Sequence, residues 1–410
     1  MSPDGPVKIA SVSVPLQFSS RTQWDLRPTK YAQALQKLRA SHAPSFDLTA
    51  SNPTTCGFHY DSAGILRELG RPECLEYSPD ARGLWKARAA VAQYYAEVAG
   101  VPVPPENVFL TASTSEAYSY LFRLHCDPGL EVLIAQPSYP LFEFLADLDD
   151  VRLVSGPLFY DHGWHLDVAA LEGRITPKTR AIVLVHPNNP TGHYTSPQER
   201  EAVERLCLEY GLALIVDEVF LEYAHDPLAR APGVPSFASG EHPVLTYVLS
   251  GLSKAACLPQ MKAAWLAIFG PQALCRQAGA RLEVVADTFL SMNAPVQHAL
   301  PYMLAERSHV QRQVLARVRE NLATLDRHLR TAPALSRLAV QAGWYAVLRV
   351  PAVRGGEELA VRLMRQHRVV VHPGKFYGFH GDGWIVVSLL PPFEEFAEGI
   401  ARLVRCLSGE

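Results

Sequence analysis

Residues 180–220 read RAIVLVHPNNPTGHYTSPQEREAVERLCLEYGLALIVDEVF. The stretch opens on a short apolar run, RAIVLVH (180–186), of strand length. A turn rich in Asn, Pro and Gly follows, HPNNPTG (186–192). SPQEREAVERLCLEYG then spaces apolar residues among charged ones, as a surface helix does. LALIVD (212–217) is a second apolar run. Strand, turn, helix and strand in so short a span make a βαβ unit. Runs that are apolar throughout, without alternation, belong to parallel strands buried on both faces.

The pattern repeats outward. NVFLT (107–111), EVLIAQ (131–136) and VRLVSG (151–156) are further strands, and SEAYSYLFRLH and LWKARAAVAQYYAEVA read as helices. Two long helical patterns occupy about 294–306 and 308–332. WYAVLRV and WIVVSLL are strands flanking the helix GEELAVRLMRQH, and FEEFAEGIARLVRCL closes the chain as a helix. The expected fold class is α/β: a large domain with a mostly parallel sheet flanked by helices, plus a smaller α+β domain. The expected division gives 1–60 to an irregular N-terminal arm and part of the small domain, 61–295 to the large domain and 296–410 to the small C-terminal domain.

Composition removes several function classes. The 410 residues are 48% hydrophobic, and 38 basic against 41 acidic residues give a net charge of −3. No basic patch stands out, so neither nucleic acid nor a membrane surface is an expected partner. No apolar run approaches the ~20 residues of a membrane-crossing helix. The N-terminal MSPDGPVKIASVSVPLQF lacks an uninterrupted apolar core, so no secretory leader is read. Seven cysteines, an odd number with no CxxC pair, fit reduced thiols in a cytoplasmic protein. There is no GxGxxG after a first strand for a nicotinamide cofactor. Ser250 lies four residues, not three, before Lys254, so an SxxK hydrolase motif is not formed. The first 60 residues are short, Pro-rich and not basic, unlike a DNA-binding helix-turn-helix.

Ligands in parallel sheets bind beyond the carboxyl ends of the strands. There the polar clusters fall: TASTSE, PSYP, HPNNPTG and DEVF. Lys254 follows the apolar VLTYVLSGLS; a desolvated amine at a strand end can attack a carbonyl and form a Schiff base. Asp217 ends a buried strand, where it serves as a loop cap or as partner to a protonated ring nitrogen. Asn189 offers an amide in a turn whose Asn189–Pro190 bond can be cis. Ser113, Thr114 and Ser115 open a helix, either as an anion cradle or as a simple N-cap with Glu116.

The ordered set NPTT (52–55), LEYSPDARGLWKAR (75–88), TASTSEA (111–117), QPSYPLF (136–142), HPNNPTG, VDEVF (216–220), SGLSK (250–254) and HPGKFY (372–377) spans about residue 47 to the C-terminus. It resembles the pyridoxal 5'-phosphate-dependent (PLP) aminotransferases of fold type I, the aspartate aminotransferase superfamily. The resemblance implies that Lys254 holds PLP as a Schiff base and carries the catalytic proton. Asp217 would pair with the pyridinium nitrogen, Tyr139 would stack on the ring, and Asn189 would bond its phenolic oxygen. Ser113, Thr114 and Ser115 would cup the phosphate. Tyr77 would reach the phosphate of a neighbouring subunit, in a homodimer with shared sites. The amino donor and a 2-oxo acid would be the small-molecule partners, and no metal is expected.

Four departures from the family pattern stand out. Lys262 replaces an arginine eight residues after the Schiff-base lysine; it can counter a phosphate but cannot form a bidentate fork. Gly251 occupies a position often held by Ser or Thr, with Ser250 expected to substitute from next door. Phe220 stands where a tyrosine commonly donates to the ring oxygen. Val386 stands where an arginine clamps the substrate α-carboxylate. Arg21, Lys375 and Ser51 are therefore the candidates for substrate contact. The missing clamp also keeps a PLP-dependent lyase, decarboxylase or cyclase open as the alternative to transamination.

Overall fold

Residues 16–226, 235–290, 292–352 and 355–408 are described by the computed structural model. The stretch read for a leader lies, up to residue 15, outside them.

The apolar runs pair into one eight-stranded sheet. Its strands in chain order are β1 (Val108–Thr111), β2 (Glu131–Gln136), β3 (Arg152–Tyr160), β4 (Trp164–Leu166), β5 (Thr179–Val185), β6 (Ala213–Asp217), β7 (Thr246–Gly251) and β8 (Ala264–Phe269). Side by side they run β1-β8-β7-β6-β5-β2-β3-β4. From β7 to β3 all pairings are parallel, while β8 and β4 pair antiparallel with their neighbours. The expected mostly parallel sheet flanked by helices is what forms.

Local chemistry explains the opening βαβ unit. Ser196 and Glu199 close a capping box at the start of the helix Pro197–Tyr210, with Pro197 in its first turn. Gly211 ends it at φ 66°, a left-handed conformation that glycine adopts without penalty. Alternate residues of β6 then enter opposite cores. Leu214 and Val216 pack with Tyr94, Tyr95 and Trp265 on one face. Ala213 and Ile215 pack with Tyr118, Phe122 and Leu249 on the other.

The smaller unit packs the helices Arg307–Leu329 and Phe393–Ser408 onto an antiparallel sheet of Ser336–Arg337, Tyr345–Arg349, His372–Pro373 and Trp384–Ser388. Within residues 16–60 the chain departs from the irregular arm expected. Lys30–Ala40 is a helix, N-capped by the Thr29 hydroxyl, and it buries Tyr31 and Ala34 in the small-unit core. Its sequence is polar apart from a narrow stripe, which is why the composition reads as loop. The helix Ala294–Ala305 puts Val296, Ala299, Leu300, Met303 and Leu304 into the large-unit core. We therefore propose the division at the junction with Arg307 rather than at 296.

Candidate active site

Five chain segments converge at one edge of the large sheet. β6 ends at Asp217, β7 at Gly251, β1 at Thr111 and β5 at Val185, and β8 begins there, with Ala264 in register with both Gly251 and Thr111. That register sets the turn carrying Lys262, the Ser113–Ser115 helix start and the Lys254 turn side by side.

Lys254 sits in the short helical turn Leu252–Ala255 directly after β7. Its Nζ lies 5.0 Å from the centre of the Trp344 ring and 5.7 Å from that of Phe220. Desolvation lowers the amine below its ordinary value of 10.5, against a smaller opposing pull from Asp217. Loss of solvation shifts an amine so placed toward its neutral, nucleophilic form. The turn is fixed from behind: the Tyr223 hydroxyl donates to the Lys254 carbonyl at 2.6 Å.

Asp217 is buried, and burial raises its carboxyl to about 6. It accepts from the Val219 N–H at 3.0 Å and from the Tyr118 hydroxyl at 3.2 Å. Neither donor is a cation, so the carboxylate still suits a positive partner. Glu218, on the opposite face, is structural as expected: it accepts from Ser236 Oγ and the Phe237 N–H.

In the Asn-Pro turn, Asn188 does the holding. Its amide donates to the Pro137 carbonyl at 3.2 Å and accepts from Thr191 Oγ at 2.8 Å. Asn189 is left buried with an unpartnered Oδ1, and the Asn189–Pro190 bond is cis. Tyr139 stands beside it on the cis-proline turn after β2, 41% exposed, so a ring face is available. Ser113 caps the helix Thr114–His125 by accepting from the Glu116 N–H, while Glu116 accepts from the Ala112 N–H. Capping and an anion cradle coexist here, since the N–H groups of Thr114 and Ser115 have no partner inside the helix. Lys262 is exposed at φ 51° at the adjoining turn.

Five expected site residues fare differently. Ser250 cannot substitute for its neighbour. Val248 shares a face with Tyr94, whereas Tyr247 and Leu249 share the other with Tyr118. Ser250 therefore faces the Tyr94 side, and Gly251 the Asp217 side, because one step along a strand reverses the face. A Cβ at Gly251 would lie 2.9 Å from Ala264 Cβ and 3.0 Å from the Ala263 carbonyl, so no side chain fits there. Arg21 is ion-paired with Asp150. Asp150 precedes β3, at the amino edge of the parallel strands, about 20 Å across the sheet from their carboxyl ends. The structure does not bring Arg21 to its own chain's lysine. Lys375 is half-exposed and paired with Glu357. Ser51 lies beside the Tyr345 hydroxyl. Tyr77 is 84% exposed, on a cavity that Leu110 of β1 and Tyr120 also line.

Sequence reasoning passed over Tyr118, Trp344 and Tyr345. Tyr118 is one helical turn beyond Thr114, a spacing that could have placed it beside Asp217. Trp344 and Tyr345 open a strand and were read only as strand residues.

A buried asparagine with an unpartnered Oδ1, a buried carboxylate bonded only to neutral donors and a desolvated lysine thus stand at the carboxyl edge of the sheet, with a half-exposed tyrosine on the turn after β2. The donor set fits PLP. The model of the family "aminotransferase class I and II" matches residues 66–403. The chain belongs to that family. Over 94% of this chain and 96% of the relative, it is 25% identical to the glutamate–pyruvate aminotransferase of Haemophilus influenzae. Against the alanine aminotransferase of Mycobacterium tuberculosis the identity is 28%, over 90% of this chain and 87% of the relative. An alanine aminotransferase structure from Pyrococcus furiosus superposes with a TM-score of 0.86 at 21% identity, covering 96% of this chain and all of the other (100%). This aminotransferase is thus a fold type I enzyme, and PLP is its cofactor. When bound, PLP supplies an electron-sink ring for chemistry at the carbon bearing the amino group. Among the described residues no helix is long and apolar enough to cross a membrane.

Proposed function

We propose that Lys254 both carries the cofactor and moves the proton between the two reacting carbons, in a transamination between an amino acid or related amine and a 2-oxo acid. The observation that carries this reading is the pair of perturbed groups. A lysine amine lowered by burial lies near an aspartate raised by burial, and Asn189, buried with its Oδ1 unpartnered, follows β5 on the other side of that aspartate's strand. Asp217 would keep a proton on the ring nitrogen, and Tyr118 would orient it. Tyr139 would cover one ring face, and Asn189 would hold the ring oxygen. Ser113, Thr114, Ser115 and Lys262 would hold the phosphate. Phe220 donates nothing to the ring oxygen and instead packs on Trp344, with ring centres 5.2 Å apart.

Tyr77 supports a homodimer with shared sites. It and Leu75 project from the surface at 84% and 92% exposure, beside a cavity of about 400 Å³ lined by Glu73, Asp80 and His298. A second copy that covers this surface would bury both and receive the Tyr77 hydroxyl. All seven cysteines are free, which agrees with a cytoplasmic location.

The test is a donor panel mixed with the PLP form, with alanine and glutamate, the substrates in the relatives' names, as the first members. Conversion of the visible band to pyridoxamine phosphate is expected. A band that returns unchanged while a carbonyl product or carbon dioxide accumulates would assign lyase or decarboxylase chemistry instead.

A further inference from the structure

When a substrate amine takes the place of Lys254 on the cofactor, the lysine becomes a free amine inside the protein. Its surroundings then decide how well it holds a proton. Two ionisable groups act on it, Cys257 and Asp217. Burial pushes the Cys257 thiol up to about 12, so it is neutral. Asp217 is taken by the ring nitrogen in the reading above. The Tyr223 hydroxyl is spent on the Lys254 carbonyl and lies 3.1 Å from Cys257 Sγ, and burial keeps it neutral by raising it well above 10. None of these groups is left to balance a protonated lysine, and burial by itself weakens the amine as a base.

Two aromatic faces stand beside it. The 5.0 Å from Nζ to the Trp344 ring centre and the 5.7 Å to that of Phe220 both fall within the ~6 Å over which a ring face attracts a cation. The rings fix one another. Trp344 meets Phe220 edge to face at 5.2 Å and Tyr223 at 5.1 Å. Phe220 and Tyr223 follow β6 in the large unit, whereas Trp344 precedes the small-unit strand Tyr345–Arg349. The backbone on either side of the indole is tied as well: the Trp344 carbonyl accepts from the Leu389 N–H at 2.7 Å, and the Gly343 N–H donates to the Tyr223 carbonyl at 2.9 Å. Trp344 is fully buried, and its Nε1 has no hydrogen-bond partner. An orphaned indole N–H costs stability, and a phenylalanine at this position would carry none. What the indole adds over phenylalanine is a stronger π face toward a cation.

We propose that Trp344 is a positioning residue for Lys254: its ring face, with Phe220 beside it, holds the released amine and supports its charged form where no counter-ion does. The inference rests on the transaminase reading, in which the lysine leaves the cofactor and returns to it. It gives Phe220 a task as well, since a phenyl face completes the cradle where a tyrosine would have served the ring oxygen. The small unit thereby sets the basicity of a lysine carried by the large unit.

The test uses the full-length enzyme loaded with pyridoxamine phosphate, the form in which the Lys254 amine is free, and tetrafluorotryptophan incorporated in place of Trp344. Fluorination empties the π face at nearly constant size, so water is not let in. Trace acetylation with acetic anhydride, read on the Lys254 peptide by mass spectrometry across a pH series, gives the midpoint of the amine. The fluorinated enzyme is expected to show a midpoint about one pH unit lower than wild type, with Trp344→Phe between the two. A midpoint that stays or rises would overturn the inference and leave transamination standing. The single-turnover return of the visible band with pyruvate is expected to slow roughly threefold or more at its pH plateau, because a weaker base takes the proton more slowly. A fallen midpoint with an unchanged plateau would overturn the positioning role. A wild-type enzyme that converts with no 2-oxo acid would instead sink the transaminase reading, and the acetylation midpoint would still decide whether Trp344 holds the amine.

Discussion

Asp217→Asn separates what the carboxylate costs the chain from what it gives the cofactor. Burial raises Asp217 from its ordinary 3.8 to about 6, against the lowering hydrogen bonds from Val219 and Tyr118. A carboxyl raised in the folded state binds its proton more tightly there than in the unfolded chain. Without cofactor, the wild-type chain therefore loses stability as pH climbs between these two values, and the loss is complete above the higher one. Integrated over that window it amounts to about 3 kcal/mol.

Asparagine is isosteric and never ionises. Its oxygen still accepts from Val219 N–H, and the Tyr118 hydroxyl can turn to accept from its amide. The cofactor-free variant should consequently gain up to about 3 kcal/mol over wild type at roughly pH 8, and that gain should vanish near pH 4. Urea unfolding followed by tryptophan fluorescence, at fixed protomer concentration, reads the difference. With cofactor bound the order reverses. A protonated ring nitrogen offsets the wild-type carboxylate, whereas asparagine leaves it unpaired. The single-turnover rate should fall about 10²-fold or more. A variant-minus-wild-type stability that is the same at both pH values would refute the burial argument, whatever the rate does.

Lys254→Ala should abolish the borohydride-fixed cofactor adduct seen by mass spectrometry and slow the half-reaction by at least about 10⁴-fold; a variant at full rate would remove Lys254 from the chemistry. Phe220→Tyr should lower the pH midpoint of the visible band by about one pH unit, the value of one added hydrogen bond to the ring oxygen. An unmoved midpoint would show that the new hydroxyl does not reach that oxygen. Gly251→Ser should not improve phosphate binding, and should cost about 1–3 kcal/mol by forcing β8 away from β7, read as a lower melting temperature. Arg21→Ala should leave substrate affinity unchanged, because that guanidinium is committed to Asp150 at the far edge of the sheet; a weakened affinity in a donor titration would place Arg21 at a site after all.

The large sheet was legible because its strands are buried on both faces. β5 from Ala181 to Val185 and β6 from Ala213 to Val216 are uninterrupted Val, Leu, Ile and Ala, and the helix between them announces its ends with Ser196, Pro197 and Gly211. The helix Lys30–Ala40 escaped notice for the converse reason: only Tyr31 and Ala34 are buried, so most of its sequence answers to water. The position of Asp217 at a strand end was readable for the same reason as the strand. Its partner Tyr118 was not, because the hydrogen bond joins residues 99 apart in sequence.

Ser250 and Gly251 show where reading along the chain reaches its limit. In sequence the serine is one step from the expected position, and substitution looks easy. In a strand that step is a half-turn, and it carries the hydroxyl through the sheet to the Tyr94 face. Nor can Gly251 be restored to a serine, since β8 has closed against it at Ala264. The phosphate end of the site therefore gains no hydroxyl from β7 and depends more heavily on Lys262 and on the start of the helix Thr114–His125. The same parity works at the other end of the site. Val386 shares its face with Tyr345 and Val347, while Ile385 and Val387 turn into the small-unit core. Val386 is thus packed wholly within the small sheet's own apolar cluster, beside Tyr377 and Phe379.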